Sequence, residues 1–263
     1  AEGAGLMAQA IAPVSSPDFN ADGIVDSADM TVIVDHWGQN YPLVDIGPAP
    51  FGDHIIDVQD LIVLSEYLFT EPGLIAHFKL DETEGIVARD SASLDDADLI
   101  GSPLWQPDAG IVDGALLLDG ADDYLATDFI LNPTVESFSI FAWIKGGAPG
   151  QVILSQTGGA NWLVADPSEG NLMTELKSTA RAGKPLQSQT IITDGIWHRI
   201  GLVRDGSLRT LYVDGLVAAE DTQDNLGGSD SGLYIGTGRS MESGTYFSGL
   251  IDDLRIYNRP VTP

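Results

Sequence analysis

"WHRIGLVRDGSLRTLYVDG" (residues 197–215) decides the fold. Apolar and polar residues alternate through much of it, which is the period of a strand with one buried face. Asp205-Gly206 breaks the alternation and Asp214-Gly215 ends it. An Asp-Gly pair between two such runs signals a hairpin, because both residues tolerate the backbone of a tight turn. Outward from this hairpin, residues 74–263 hold further short runs: "LIAHFKL", "GALLLDG", "SFSIFAWIK", "QVILSQ", "GLYIGTG" and "LIDDLRIYN". Gly, Asp, Asn or Pro separates most of them, and long helical periodicity is absent. The segment reads as an antiparallel all-β sandwich of roughly 190 residues.

Before residue 73 the texture differs. An internal repeat with an offset of 31 residues relates Asp22, Ile24, Asp26, Asp29, Met30, Ile33 and Trp37 to Asp53, Ile55, Asp57, Asp60, Leu61, Leu64 and Leu68. In each copy an acidic loop runs into apolar residues at i, i+3 and i+7, one face of a helix. Two short loop–helix units are expected to pack those faces together. "EPG" (71–73) ends the second helix. Residues 1–16, small and apolar or Ser/Pro-rich, read as a leader strand or linker. The expected division is 1–16, 17–71 and 74–263.

Charge is divided unevenly along the chain. The formal net charge is −27, and residues 1–72 hold 12 Asp/Glu with no Lys or Arg. Such a surface repels nucleic acid and anionic lipid and attracts divalent cations. The chain has no cysteine, which excludes disulfides, thiol catalysis and zinc–thiolate sites. No apolar run reaches the ~18 residues of a membrane helix. The chain begins at Ala1, so a processed chain or a fragment is expected, and an extracellular or cell-surface location suits its composition.

"PDFNADGIVDSAD" (17–29) explains the crowding of acids. Asp18, Asn20, Asp22, Asp26 and Asp29 fall at positions 1, 3, 5, 9 and 12 of a calcium loop; Ile24 at position 7 offers its carbonyl and Gly23 permits the turn. The competing structural reading is a solvated acidic turn that caps a helix. In the second loop Asp53, Ile55, Asp57 and Asp60 fit positions 5, 7, 9 and 12, with Asp45 as position 1 across four extra residues and His54 in place of the glycine. A second Ca²⁺ is expected there; the alternative is a degenerate repeat that kept only its helix.

These paired units resemble a type I dockerin, an all-α module of two calcium loops. The resemblance implies binding of a cohesin-like protein through Ser27, Ala28, Val58 and Gln59; the two pairs differ, so packing against another copy of the chain stays open. Residues 74–263 resemble a laminin-G-like, concanavalin A-like jelly roll, on "HFKLDETEGIVARDSA" (77–92), "GALLLDGADDYLAT" (114–127), "FSIFAWIK" (138–145), the opening hairpin and "FSGLIDDLRIYNR" (247–259). That resemblance implies a glycan-binding, protein-binding or spacer role. It also implies a further calcium ion on Asp252, with Asp119 or Asp81 assisting; otherwise Asp252–Asp253 is a charged edge pair.

Catalysis is not expected. No Glu-x-Asp-x-x-Glu carboxylate set is present. "MTELKS" (173–178) is faintly similar to the Arg-x-Glu-Leu strand of alginate lyases, yet lacks its arginine, which leaves Glu175 as a strand residue facing water. His198 reads as a packed structural histidine, and His36, His54 and His77 form no metal or triad spacing. For sugar binding, Trp162 between glycines is the candidate stacking face, with Asn161, Arg181 and Arg239 as polar partners; the alternative is that Trp162 fills the core, as is expected of Trp143 and Trp197. The leading expectation is a secreted, non-catalytic, calcium-stabilised glycan-binding protein. The alternatives are a subunit of a calcium-dependent extracellular filament or matrix, and an accessory module of a larger polysaccharide-degrading enzyme.

Overall fold

The structure, a computed structural model, describes residues 17–20, 25–48, 52–65, 67–68, 71–93, 95–129, 131–134, 137–180, 183–228 and 231–263. The expected leader or linker (1–16), together with Asp22, Ile24 and Arg181, lies outside the described residues. The chain divides after Pro72 into two compact units.

The first unit holds α1 (Ser27–Asp35) and α2 (Val58–Ser65). Each begins where an aspartate takes up free N–H groups of the first turn. Asp26 accepts from Ala28 N at 2.6 Å and Asp57 from Gln59 N at 2.7 Å. Three residues further on, Asp29 and Asp60 bond back to the N–H of Asp26 (3.0 Å) and Asp57 (2.7 Å), the reciprocal half of a capping box. Val25, Ile33, Val44, Ile56 and Leu64 form the core of the unit.

The second unit is an antiparallel sandwich whose described strands are β1 (Leu74–Phe78), β2 (Val87–Ala88), β3 (Ala97–Ile100), β4 (Leu104–Gln106), β5 (Ala115–Asp119), β6 (Tyr124–Thr127), β7 (Phe138–Gly146), β8 (Val152–Gln156), β9 (Asn161–Ala165), β10 (Asn171–Thr174), β11 (Leu186–Ile191), β12 (Trp197–Asp205), β13 (Leu208–Val213), β14 (Leu216–Thr222), β15 (Leu233–Ile235) and β16 (Ser248–Tyr257). One sheet runs β14-β13-β12-β7-β16-β5-β4, and β1 shares with β5 the edge of β16 that β7 leaves open. The other runs β11-β10-β9-β8-β15-β6-β3-β2. Alternate residues of both sheets, among them Phe138, Ile140, Leu154, Leu202, Ile235 and Ile256, meet in one core between them. Sequence neighbours in the chain are often far apart in the sheets, as in a jelly roll.

Irregularities decide which way key residues face. Between Leu154↔Leu163 and Ser155↔Asn161 the β9 strand carries one extra residue, Trp162. A bulge of this kind puts two consecutive residues on one side of the sheet, so Trp162 and Leu163 both enter the core. On β16 the register slips between Asp252 and Arg255, and Asp253 takes φ +48°. Trp143 and Trp197, expected in the core, are only half-buried. Trp143 lies between Ala142 and Ile144, which point inward, and so faces outward.

Candidate functional site

In the first unit the repeat is reproduced at the level of single hydrogen bonds. Asp29 and Asp60 are fully buried. Asp29 Oδ1 accepts from Phe19 N (2.6 Å) and Asn20 N (3.3 Å), while Asp60 Oδ1 accepts from Ile46 N (2.7 Å) and Gly47 N (2.9 Å). The carboxylate of Asp45 accepts from Asp53 N (3.0 Å) and His54 N (2.6 Å), which closes the enlarged second loop across its insertion. His54 stands at φ +75°, the left-handed conformation that a glycine takes at this point of an ordinary loop. Asp18 and Asp26 are half-buried, whereas Asn20, Asp53 and Ile55 are exposed and Asp57 is half-buried.

The donor set of both loops is oxygen only, which suits a hard cation such as Ca²⁺. Three buried carboxylates, Asp29, Asp45 and Asp60, in a stretch without Lys or Arg also suit one. Among the described residues, however, three such groups come within 4.8 Å of one another only at Asp119, Asp122 and Asp123. Ser27, Ala28, Val58 and Gln59 are all exposed at the starts of the two helices. The helices also present Met30, Val34, Val58 and Ile62 as exposed apolar residues, with Trp37 exposed in the turn after α1.

In the sandwich Asp252 and Asp253 are not an edge pair. Both are buried: Ile251 and Leu254 on either side of them enter the core, and the β16 bulge leaves the two aspartates on the opposite face, covered by the 110–112 loop and His77. Asp252 Oδ2 accepts from Ile111 N (2.6 Å) and Val112 N (3.0 Å). Its Oδ1 is buried and meets no donor. Burial pushes its pKa up to about 6, against the two backbone N–H bonds, and the charges of Asp253 and Asp81 add to the rise. Asp81 binds the same 110–114 loop through Gly114 N at 2.8 Å. Asp81 and Asp252 thus hold the same loop, and the orphaned Oδ1 is a donor atom that would fit a bound cation. Asp119 does not join them. It pairs with Ser248, four residues back along β16 and about 13 Å away, and its carboxylate caps its own turn through Ala121 N, which holds its pKa down.

The outer face of the second sheet carries a cleft. Register sets Asp98 of β3 beside Ala126 of β6, Ala126 beside Tyr234 of β15, Tyr234 beside Ser155 of β8, and Ser155 beside Asn161 of β9. All point away from the core, whereas Ala97, Leu125, Leu233 and Leu154 point into it. The small Ala126 between two longer side chains makes a trough about two strand spacings, ~10 Å, across. Loops at the strand ends deepen it to a cleft of about 760 Å³, walled by Asp95, Asp96, Asp128, Thr127, Thr157 and Ser231 besides Asp98 and Tyr234. Tyr234 packs edge-on against Tyr124 at 5.5 Å, and Tyr246 lies 6.2 Å from Tyr124. Burial among these rings raises the pKa of Tyr124, so its hydroxyl stays protonated. Within the cleft one aromatic ring, Tyr234, stands beside carboxylate and hydroxyl oxygens.

Further along the same row, Asn161 donates to Glu175 Oε2 at 2.8 Å and accepts from Arg239 N at 2.9 Å. Arg239 also reaches Gly159 O at 2.7 Å. Asn161 and Arg239 therefore meet as expected, and Glu175, expected to face water, is half-buried beside them. Trp162 is the correction. It is fully buried with its ring 5.3 Å from Phe138 and offers no face to a sugar. The aromatic residues that do line the outer face, Tyr124 and Tyr234, went unnoticed; the outward place of Tyr234 in the alternating "GLYIGTG" was the available signal.

The buried histidines hold structure together. His198 sits between Asp214 (Nδ1 to Oδ2, 2.9 Å) and Asp194 (Nε2 to Oδ1, 3.2 Å), and so ties the start of β12 to the turn after β13. His77 joins Asp253 at 2.7 Å, and Asp253 also accepts from Arg255. Neither histidine lies in the cleft.

The two sheets and their strand order define a class, the concanavalin A-like jelly rolls. The chain belongs to the concanavalin A-like lectin/glucanases superfamily, whose Laminin G 3 family description matches residues 119–263. No curated protein matches it in sequence. Among solved structures it is similar to domain 4 of AbnA, a GH43 extracellular arabinanase from Geobacillus stearothermophilus, in complex with arabinotriose. That match has 20% identity and TM-score 0.57, and covers 72% of this chain and 94% of that one. The binding domain of Paraclostridial Mosquitocidal Protein 1 matches at 14% identity and TM-score 0.57, covering 72% of this chain and 49% of that one, so the chain spans about half its length. Trypanosoma rangeli sialidase in complex with sialic acid matches at 17% identity and TM-score 0.50, covering 88% of this chain and 36% of that one. At these identities the likeness is one of fold.

Proposed function

We propose that the protein is a non-catalytic, extracellular, calcium-binding protein that holds carbohydrate in the cleft on its second sheet. The observation that carries this reading is the trough between Tyr234 and Asp98, floored by Ala126 and walled by carboxylate and hydroxyl oxygens. A sugar laid against Tyr234 buries its apolar ring face there while its hydroxyls donate to the acceptors. The sugars held by the arabinanase domain and the sialidase lend the reading support by analogy of fold. The buried histidines are committed to hydrogen bonds with aspartates that tie strands and turns together, which agrees with a binding rather than a catalytic role. A glycan array on the whole chain tests it: binding by the parent and loss in Tyr234→Ala supports the cleft, and silence across the array overturns it.

Calcium belongs to the same proposal. In the first loop Asp18, Asn20, Asp22, Asp26 and Asp29, with the carbonyl of Ile24, would hold one ion. Asp45, Asp53, Asp57, Asp60 and the carbonyl of Ile55 would hold a second, and Asp252 and Asp81 a third. The ions would neutralise gathered carboxylates and rigidify the loops. The first unit is read as a dockerin-like module that anchors the chain to a cohesin-like protein or to further copies of itself. The exposed Met30 and Val34 on α1, Trp37 in the turn after it, and Val58 and Ile62 on α2 favour such a contact. They equally favour the reading as a subunit of a calcium-dependent filament; a strict monomer by sedimentation at high concentration in calcium sinks that alternative.

A further inference from the structure

Resting on the glycan-binding reading above, we infer that the cleft selects oligosaccharides with free amino groups, built of de-N-acetylated hexosamine, and turns acidic sugars away. Four carboxylates wall it, and their commitments differ. Asp96 is occupied: it pairs with Arg89 at 2.8 Å and accepts from Asp90 N at 2.9 Å. The carboxylates of Asp95, Asp98 and Asp128 take part in no hydrogen bond or ion pair among the described residues. Arg89, which pairs with Asp96, is not among the residues lining the cleft.

Among the described residues the cleft lining offers no positive charge to an anionic sugar, whose carboxylate would face three uncompensated ones across the trough. Neutral sugars find acceptors here, but an ammonium finds more. It gains charge-assisted hydrogen bonds to Asp98 or Asp128 and the electron-rich face of Tyr234. These carboxylates are also too widely spaced to act as one metal site, since no three of them come within 4.8 Å. Acceptors spread along a trough suit a ligand that repeats its positive charge from unit to unit. The selection is therefore for a cationic chain over a single cation.

The test is calorimetric titration of the whole chain with four probes: a glucosamine oligomer, its N-acetylated counterpart, arabinotriose and N-acetylneuraminic acid. The glucosamine oligomer is expected to bind about tenfold more tightly than its N-acetylated counterpart. Asp98→Asn and Asp128→Asn should each cut that advantage about threefold, and about 0.5 M salt should largely erase it. Tyr234→Ala should weaken every sugar. Asp205→Asn and Glu220→Gln, on the other sheet, control for attraction to the net charge of −27; if they cut the advantage as much as the cleft variants, the inference falls. It falls equally if the acidic sugar binds as well as the cationic one. Binding of all neutral sugars with no amine preference overturns the selectivity and leaves glycan binding standing. Absence of any sugar binding overturns both.

Discussion

Asp252 has one carboxylate oxygen bonded to the 110–112 loop and the other buried without a donor. Its pKa of about 6 in the folded chain exceeds the ordinary value of 3.8, chiefly through burial. A raised carboxyl pKa means that the fold favours the protonated form. The contribution to stability is thus full below about pH 4 and is lost as pH rises through 6. In chelator, melting temperature should fall across this window, and Asp252→Asn should flatten the fall. Calcium should restore the parent at pH 8 and do little for the variant. Thermal melts followed by near-ultraviolet circular dichroism between pH 4 and 8 measure this; parallel curves for parent and variant would refute it. Trp162 yields a simpler expectation. Trp162→Ala empties a site against Phe138 in the core and should cost about 3–5 kcal/mol of stability. Sugar affinity of the fraction that stays folded should not change, which a titration below the melting point checks.

Each helix of the first unit is 9 residues or shorter, too short to persist without tertiary support. Asp29 and Asp60 supply it, each accepting three backbone N–H groups from two separate segments. Asp60→Ala orphans the N–H groups of Ile46, Gly47 and Asp57 and should cost about 2 kcal/mol or more. Trp37, the one tryptophan of residues 1–72, reports the loss by its emission once the other tryptophans are subtracted in a Trp37→Phe control. An unchanged emission and an unchanged protease pattern in Asp60→Ala would show the cap to be dispensable.

These elements also mark what was legible in the sequence. The hairpin of β12 and β13 appears where "WHRIGLVRDGSLRTLYVDG" places it, because alternation and an Asp-Gly turn are local signals. The 31-residue repeat reappears as matched capping bonds for the same reason. Trp162 and the Asp252–Asp253 pair were illegible, since one bulge each reverses the side they face and a bulge leaves no mark on composition. The cleft was illegible too: Asp98, Ala126 and Tyr234 meet only through strand pairing across more than a hundred residues.

At the scale of the whole chain, charge and core are partitioned in opposite senses. Among the described residues the first unit rests on five buried apolar side chains within a stretch of 12 acids and no base. The sandwich holds a core many times larger and all 12 bases of the chain. Self-repulsion therefore weighs on the part least able to bear it. Chelation should unfold residues 17–72 and leave the β spectrum of the sandwich in place, seen as loss of helical signal and as cleavage confined to the first unit. General repulsion and specific ion binding then separate by dose. Screening of diffuse charge requires salt on the order of 0.3 M, where the Debye length falls to about 5 Å. Ions held by numbered loop carboxylates should restore the unit at micromolar to millimolar calcium, and magnesium, which demands tighter octahedral geometry, should do so poorly. Recovery with salt alone at equal efficiency would reduce the loops to solvated, helix-capping turns. A helical signal and cleavage pattern indifferent to chelator would remove calcium from the account of this unit altogether.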